Sequence, residues 1–247
     1  MSVSFSVDGH SYSARAFLFD KDGTLISFDH WLKVMEARAQ RLRRLLGLSE
    51  QETAALLTYM GVCPKTGRAL PQGIIHLPRC DAERGVADHL TALGVPGALA
   101  LVTRVFQEVD QEFPFQRYLK PLPGAEEILL AIRRAGGRVA VVTNDAAAAS
   151  ERHLASLGWD GLVDVIVGTD VCPAKKPAPE PVLLACRRLG IPAGAGVMVG
   201  DSPSDLLAGR SAGCRLSIGV LSGLGRPEDL SPHADLLLPD ISALHLG

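Results

Sequence analysis

Short, continuous apolar runs that end in polar residues restrict the fold of this chain more than any other feature. Runs of this kind lie at 15–19, 137–142, 163–168 and 196–200, and two further candidates lie at 215–220 and 234–238. Continuous apolar runs, unlike strict alternation, are typical of strands that are covered on both faces. The runs therefore predict the buried strands of a parallel sheet.

Helical patterns separate these predicted strands. Apolar residues recur at helical spacing over 125–132, and Gly136 and Gly137 follow as signals for the end of a helix. The segments 151–157 and 181–189 have the same character. Strands that alternate with helices of this length predict an α/β fold, a doubly wound (Rossmann-like) parallel sheet.

One long segment, residues 29–120, interrupts the alternation. It shows only helical periodicity, with a stripe that includes Trp31, Val34 and Leu42 and further helical patterns at 81–93 and 97–113. Arg38 falls on the same stripe and is a candidate for contacting a ligand; the alternative, which we favour, is that its stem packs while its guanidinium reaches water. The pattern predicts a core domain of residues 1–28 and 121–247 and an all-helical insertion over 29–120.

Composition excludes several classes of function. The chain of 247 residues has a formal net charge of −2, so no basic field invites nucleic acid. No apolar run reaches the roughly 18 residues that a membrane span needs. The five cysteines are scattered without a C-x-x-C pair, and the first residues lack the features of a signal peptide. We therefore expect a cytoplasmic protein without nucleic-acid or membrane partners; the sequence does not set its oligomeric state.

Polar residues follow the predicted strands in a way that suggests a ligand site. Asp20 and Asp22 follow the first strand, Thr143 and Asn144 the second, and Asp201 the fourth. Ligands of open parallel sheets bind beyond the carboxyl ends of the strands, so we expect these residues to meet there. Three aspartates that converge without basic partners would repel one another, and a bound Mg²⁺ would remove that repulsion. Solvated aspartates at strand ends are the alternative.

Four segments resemble, in order, the motifs of the haloacid dehalogenase (HAD) superfamily. FLFDKDGTL at 17–25 resembles motif one, DxDGT, and VVTN at 141–144 resembles motif two. Lys176 within KKPAPEP resembles the motif-three lysine, and GDSPSD at 200–205 resembles motif four. The helical insertion stands where this family has its type-1 cap. Within the family, these segments together with PLPG at 121–124 most resemble phosphoglycolate phosphatases.

The resemblance implies a role for each matched side chain. Asp20 would be the nucleophile that forms an aspartyl-phosphate, and Asp22 would be the general acid and base. Thr143 and the amide of Asn144 would bind the transferring phosphoryl oxygens. Lys176 would neutralise the charge of the phosphate and of the nucleophile.

The resemblance also implies Mg²⁺ as the cofactor. Asp20, Asp201 and the main-chain carbonyl of Asp22 would bind the ion, while Asp205 would orient the motif-three lysine or a metal-bound water. Lys175 is an alternative to Lys176 for that lysine, although the family's Lys-Pro-x-Pro pattern favours the second.

The expected activity is Mg²⁺-dependent hydrolysis of a small, phosphoglycolate-like phosphomonoester. The second aspartate of motif one favours phosphoester chemistry over dehalogenation. A sugar-phosphate phosphomutase with the same site, and a non-catalytic regulator that accepts phosphate on Asp20, stay open as alternatives. On the Gly- and Pro-rich loop 61–73, Lys65 and Arg68 are candidates for binding a substrate carboxylate or hydroxyls, with solvated loop charges as the alternative.

Overall fold

The structure, a computed structural model, describes residues 2–7, 9–70, 72–77 and 79–246. The chain divides into two compact units. The first, called here the strand unit, contains Met1–Phe28 and Leu119–Gly247, and the second, the helical unit, contains Asp29–Tyr118. Among the described residues, no helix combines the length and the apolarity required to cross a bilayer.

The strand unit is built on a six-stranded parallel sheet. Two N-terminal strands, β1 (Val3–Val7) and β2 (His10–Ala14), precede this sheet. The six strands are β3 (Ala16–Phe19), β4 (Arg138–Val142), β5 (Val165–Val167), β6 (Gly196–Gly200), β7 (Leu216–Val220) and β8 (Leu236–Leu238). They lie side by side in the order β5-β4-β3-β6-β7-β8, and all neighbouring strands run parallel. This confirms the predicted α/β class.

The strand order decides where a ligand site can form. Every residue of β3 and β6 is buried, as their continuous apolar runs predict. The strand β3 lies between β4 and β6, so the chain winds to one side of β3 and then to the other. The loops that leave these strands diverge at such a reversal and open a crevice at the carboxyl ends. The crevice brings the polar residues after β3, β4 and β6 together.

Helices of the strand unit connect its strands. They are α5 (Ala125–Arg134), α6 (Ala147–Ser156), α7 (Glu180–Leu189), α8 (Pro203–Ala212) and the short α9 (Pro227–Leu230). Pro203 opens α8, where its missing N–H and restricted φ cost nothing, and Gly213 caps its end at a φ of 78°. The sequence thus specifies both ends of the helix that follows the fourth motif.

A small antiparallel sheet, in which β1 pairs with β2 and with a C-terminal strand, belongs to the strand unit, and its strands are not among the predicted strands. Its third strand is β9 (His245–Leu246). In β1, Val3, Phe5 and Val7 are buried and alternate with serines, a pattern that is typical of a half-buried strand. The ring of Phe5 lies 5.3 Å from that of Phe17, which attaches the small sheet to β3.

The helical unit consists of α1 (Asp29–Leu46), α2 (Glu50–Tyr59), α3 (Arg79–Ala92) and α4 (Ala98–Glu112). The expectation that the Arg38 guanidinium reaches water is wrong. Arg38 is buried, its guanidinium carbon lies 4.0 Å from the centre of the Phe106 ring, and its Nη2 lies 2.6 Å from Asp110 Oδ1. A carboxylate and an aromatic face on α4 thus replace water around this cation.

Candidate active site

Asp20 lies at the carboxyl end of the central strand β3. Its main-chain N–H donates to Val199 O at 2.8 Å, which continues the β3–β6 ladder by one residue and holds Asp20 in register. Its side chain is nearly buried. The carboxylate therefore emerges in the crevice between the ends of β4 and β6.

Lys176 is the lysine that the structure brings to this carboxylate. Its Nζ lies 2.6 Å from Asp20 Oδ1 and 2.6 Å from Asp205 Oδ1, and it donates to Val142 O at 2.6 Å. These three acceptors match the three N–H bonds of an ammonium group. Asn144 fixes the lysine backbone, because its Oδ1 accepts from Lys176 N at 2.9 Å and its Nδ2 donates to Lys176 O at 3.1 Å.

Three carboxylates crowd around this ammonium group. Oxygens of Asp20, Asp201 and Asp205 all lie within 4.8 Å of one another. Burial, together with the charges of Asp205 and Asp22, raises the pKa of Asp20 to about 7, against the lowering effect of Lys176. Burial and the neighbouring carboxylates of Asp20 and Asp205 also raise the pKa of Asp201 well above its usual value. Burial and mutual repulsion thus disfavour the charged forms of these carboxyls despite Lys176, and a bound cation would offset both effects.

The donor set fits a hard divalent cation such as Mg²⁺, which takes oxygen ligands. Asp201 is oriented by Leu224 N, which donates to its Oδ2 at 3.0 Å. Gly23 and Gly223 border the same carboxylate, and a Cβ built on Gly23 would lie 2.6 Å from Asp201 Oδ2. Side chains at either glycine would fill the space next to this oxygen. Asp201 and the buried Asp20 are thus the carboxylates that could hold the ion.

Asp205 is engaged by the protein through both of its oxygens. Oδ1 faces Lys176, while Oδ2 accepts from Ser202 N at 3.0 Å and from Ser202 Oγ at 2.7 Å. These bonds also connect the start of α8 to the motif-three lysine. The arrangement supports the expected orienting role, which stays a prediction.

Thr143 and Asn144 follow β4 as predicted. Thr143 is buried, its N–H donates to Val167 O at 2.9 Å, and its Oγ1 accepts from Asp145 N at 3.0 Å. The Asn144 side chain is used on the Lys176 backbone, so we expect any phosphoryl contact of Asn144 from its main-chain N–H. Their roles in binding phosphate stay predictions.

Lys21 is a second basic partner of these aspartates beside Lys176, and the sequence-based prediction gives it no role. The Lys21 side chain is fully buried, and its Nζ lies 2.8 and 2.7 Å from the two carboxylate oxygens of Asp22. Nearby lie Asp145 Oδ2 at 3.5 Å and His153 Nδ1 at 3.2 Å. A lysine between two aspartates, directly after an all-apolar strand, is the sequence signal that could have revealed this cluster.

Lys65 and Arg68 lie in the helical unit, on a tight turn after α2. Val62 pairs with Ala69 across this turn, and Cys63 N donates to Arg68 O at 2.9 Å. Both candidate side chains are exposed. Pro71, in the same predicted loop, lies outside the described residues. A substrate contact by either cation stays a prediction.

Comparison with known proteins identifies the family. Residues 14–213 match the haloacid dehalogenase-like hydrolase family. A plasmid-encoded phosphoglycolate phosphatase of Cupriavidus necator is 33% identical over 238 residues, covering 95% of this chain and 93% of the relative. A phosphoglycolate phosphatase of Neisseria meningitidis is 39% identical over 211 residues, covering 85% and 82%. The crystal structure of a predicted phosphoglycolate phosphatase from Haemophilus somnus shares the fold, with a TM-score of 0.70, 21% identity and coverage of 93% and 95%.

The chain therefore belongs to the haloacid dehalogenase-like hydrolase family, since the match spans most of its length. Its full-length similarity to phosphatases of this family makes it a phosphoric monoester hydrolase.

Proposed function

We propose that this protein is a Mg²⁺-dependent phosphatase that hydrolyses a small phosphomonoester through an aspartyl-phosphate on Asp20, with phosphoglycolate as the first candidate substrate. The observation that carries the proposal is the buried Asp20–Lys176 pair, at 2.6 Å, beside the carboxylates of Asp201 and Asp205. The substrate is suggested by the names of the full-length relatives.

The first chemical step transfers the phosphoryl group to the protein. A carboxylate oxygen of Asp20 attacks phosphorus, and the bond from phosphorus to the ester oxygen breaks. Asp22 gives its proton to the departing oxygen, so the product leaves as an alcohol. Lys176 holds the attacking carboxylate in place and offsets the charge of the incoming phosphate.

The second step regenerates the enzyme. Asp22 takes a proton from a water molecule as the water oxygen attacks phosphorus, and the bond between phosphorus and Asp20 breaks to release phosphate. The buried Asp20 and Asp201, with the Asp22 carbonyl, would hold Mg²⁺. When bound, the ion would neutralise charge on the phosphoryl oxygens.

We further propose that the helical unit acts as the cap. Its insertion between the first and second motifs supports this role. A cap excludes water and other nucleophiles during phosphoryl transfer, and it favours small substrates over proteins.

The test is phosphate release from a panel of phosphomonoesters that includes phosphoglycolate, with Mg²⁺ or with EDTA. We expect Mg²⁺-dependent release that Asp20→Asn abolishes. Asp160→Asn, at an exposed aspartate of the same unit, is the matched control and should leave the rate unchanged. Absence of release together with isomerised sugar phosphate would replace the proposal with a mutase, and a long-lived phosphoprotein without turnover would replace it with a regulator.

A further inference from the structure

The buried Lys21 is a charged group that the proposed mechanism does not use. Its side chain has 0% exposure, although moving an ammonium group out of water is strongly unfavourable. Such a charge persists in a protein only where carboxylates and hydrogen-bond acceptors replace the lost water. The position lies in the first motif, between the proposed nucleophile and the proposed acid and base.

The contacts of Lys21 are directed at Asp22. Its Nζ lies within 2.8 Å of both carboxylate oxygens, so one ammonium group restrains the rotation of the whole carboxylate. A contact to only one oxygen would restrain the rotation of the carboxylate about its Cβ–Cγ bond less. The contact therefore defines which way the Asp22 oxygens face.

Lys21 is itself contacted by a residue after β4 and by a residue on α6. Asp145 in the loop after β4 lies 3.5 Å from its Nζ, and Nδ1 of the buried His153 on α6 lies 3.2 Å from it. An ammonium group has only donors, so Nδ1 of His153 must accept, and the ring proton then lies on Nε2. Burial acts to lower the pKa of Lys21, but the charges of Asp22 and Asp145 outweigh it and raise the pKa.

We propose that Lys21 is a positioning residue that holds the Asp22 carboxylate in the orientation required for proton transfer, and that His153 in turn holds Lys21. This inference rests on the proposed function, in which Asp22 passes a proton to the leaving oxygen and later takes one from water. In this role Lys21 acts through Asp22 and takes no part in the proton transfer itself.

The inference predicts an effect that depends on the leaving group. An alkyl phosphate releases a strongly basic oxygen and needs the proton from Asp22 in the first step. A p-nitrophenyl phosphate releases a weakly basic oxygen and needs that proton much less. Hydrolysis of the phosphoenzyme needs Asp22 as base whichever substrate formed it. Disturbing Asp22 should therefore slow the first step for alkyl phosphates only, and the second step for both.

The experiment compares Lys21→Met with the wild type by rapid-mixing kinetics in Mg²⁺. Methionine keeps most of the length of the side chain and removes its charge. With p-nitrophenyl phosphate, the first turnover releases one nitrophenolate per enzyme molecule, and we expect its rate to stay within about threefold of wild type. The rate of the following turnovers, which require hydrolysis of the phosphoenzyme, should fall about 100-fold. Formation of phosphoenzyme from an alkyl phosphate should also fall about 100-fold.

A second pair of variants covers the case in which Lys21→Met does not fold. His153→Asn keeps an oxygen acceptor near the Nδ1 position, whereas His153→Leu removes it. We expect His153→Leu to slow phosphoenzyme hydrolysis about tenfold, and His153→Asn to restore most of that loss. Circular dichroism and thermal unfolding would establish that both variants are folded.

The outcomes separate the inference from the function on which it rests. If Lys21→Met slows both steps equally for both substrates, or slows neither, the positioning role is refuted, and equal rates for His153→Leu and His153→Asn refute it as well. If the wild type shows no release that Asp20→Asn abolishes, the proposed function itself fails, and the inference fails with it.

Discussion

At the scale of single residues, each of two buried lysines pairs with a different set of aspartates. Lys176 pairs with Asp20 and Asp205, while Lys21 pairs with Asp22 and Asp145. Each ammonium group lies beside carboxylates with different proposed tasks. The proposed nucleophile and the proposed proton donor are therefore held by separate cations, and we expect substitutions to disturb them separately.

Lys176→Met tests the first of these pairs. Without the ammonium group, the buried carboxylates of Asp20 and Asp205 lose their shared cation, so we expect kcat for phosphate release to fall at least about 100-fold. Lys175→Met is the matched control, because it removes the same charge one residue earlier, and its kcat should stay within about twofold of wild type. The reverse ranking would assign the motif-three role to Lys175.

Gly23→Ala tests the shape of the proposed metal site. Gly23 has a φ of 86°, and an added Cβ would meet Asp201 Oδ2 at 2.6 Å. We expect Mg²⁺ binding, measured by titration calorimetry, to weaken at least about tenfold because the carboxylate must move.

Gly213→Ala is the matched control for this substitution. Gly213 has a φ of 78°, and nothing lies within 4 Å of its added Cβ. The Gly213→Ala substitution should lower the free energy of unfolding by about 1 kcal/mol, because alanine is strained at this positive φ, and should leave Mg²⁺ binding unchanged. Equal weakening of Mg²⁺ binding in both variants would show that backbone strain, and not crowding of Asp201, is responsible.

At the scale of elements, ion pairs connect α1 and α4 of the helical unit. Arg38 on α1 is buried against Phe106 and Asp110 on α4, while Arg41 on α1 pairs with the more exposed Glu112 on α4. The two pairs join the same helices but differ in burial. They therefore allow the energetic effect of burial to be compared within one pair of helices.

Asp110→Ala should destabilise the protein by about 2–3 kcal/mol, because it leaves the buried Arg38 without its carboxylate. The expected value lies below that for a fully buried pair, since the Asp110 side chain is 25% exposed. Glu112→Ala, at a side chain that is 62% exposed, should cost less than about 1 kcal/mol. Urea unfolding measures both, and similar losses would contradict the assignment of Arg38 as a buried structural cation.

At the scale of the whole molecule, we propose that the helical unit contributes to the choice of substrate. Arg68 lies on an exposed turn of that unit and, with Lys65, is a candidate for binding a carboxylate of the substrate. We expect Arg68→Ala to raise KM for phosphoglycolate about tenfold and to leave KM for p-nitrophenyl phosphate nearly unchanged. Arg84→Ala, at another exposed arginine of the same unit, is the control. Equal changes for the two substrates would remove Arg68 from substrate recognition.

The sequence alone determined the class of fold and the candidate residues of the site. Continuous apolar runs identify strands that are covered on both faces. The polar residues that directly follow these strands are the candidate site residues, and the sequence gives their positions. The small sheet β2-β1-β9 escapes this prediction although β1 and β2 have five residues each, because β9 has only two residues and pairs with β1 from the opposite end of the chain. Local pattern carries little information about strands that are stabilised by distant partners.

Only the tertiary structure decided which charges meet. Asp20 and Lys176 are 156 residues apart in the chain, and they come within 2.6 Å because Asn144, which follows β4, the neighbour of β3 in the sheet, holds the backbone of Lys176. Lys21 is adjacent to Asp22, yet its burial and its contact with His153, 132 residues later, depend on the packing of α6. Pairing of charges depends on distance in space and on the exclusion of water, and neither follows from separation along the chain.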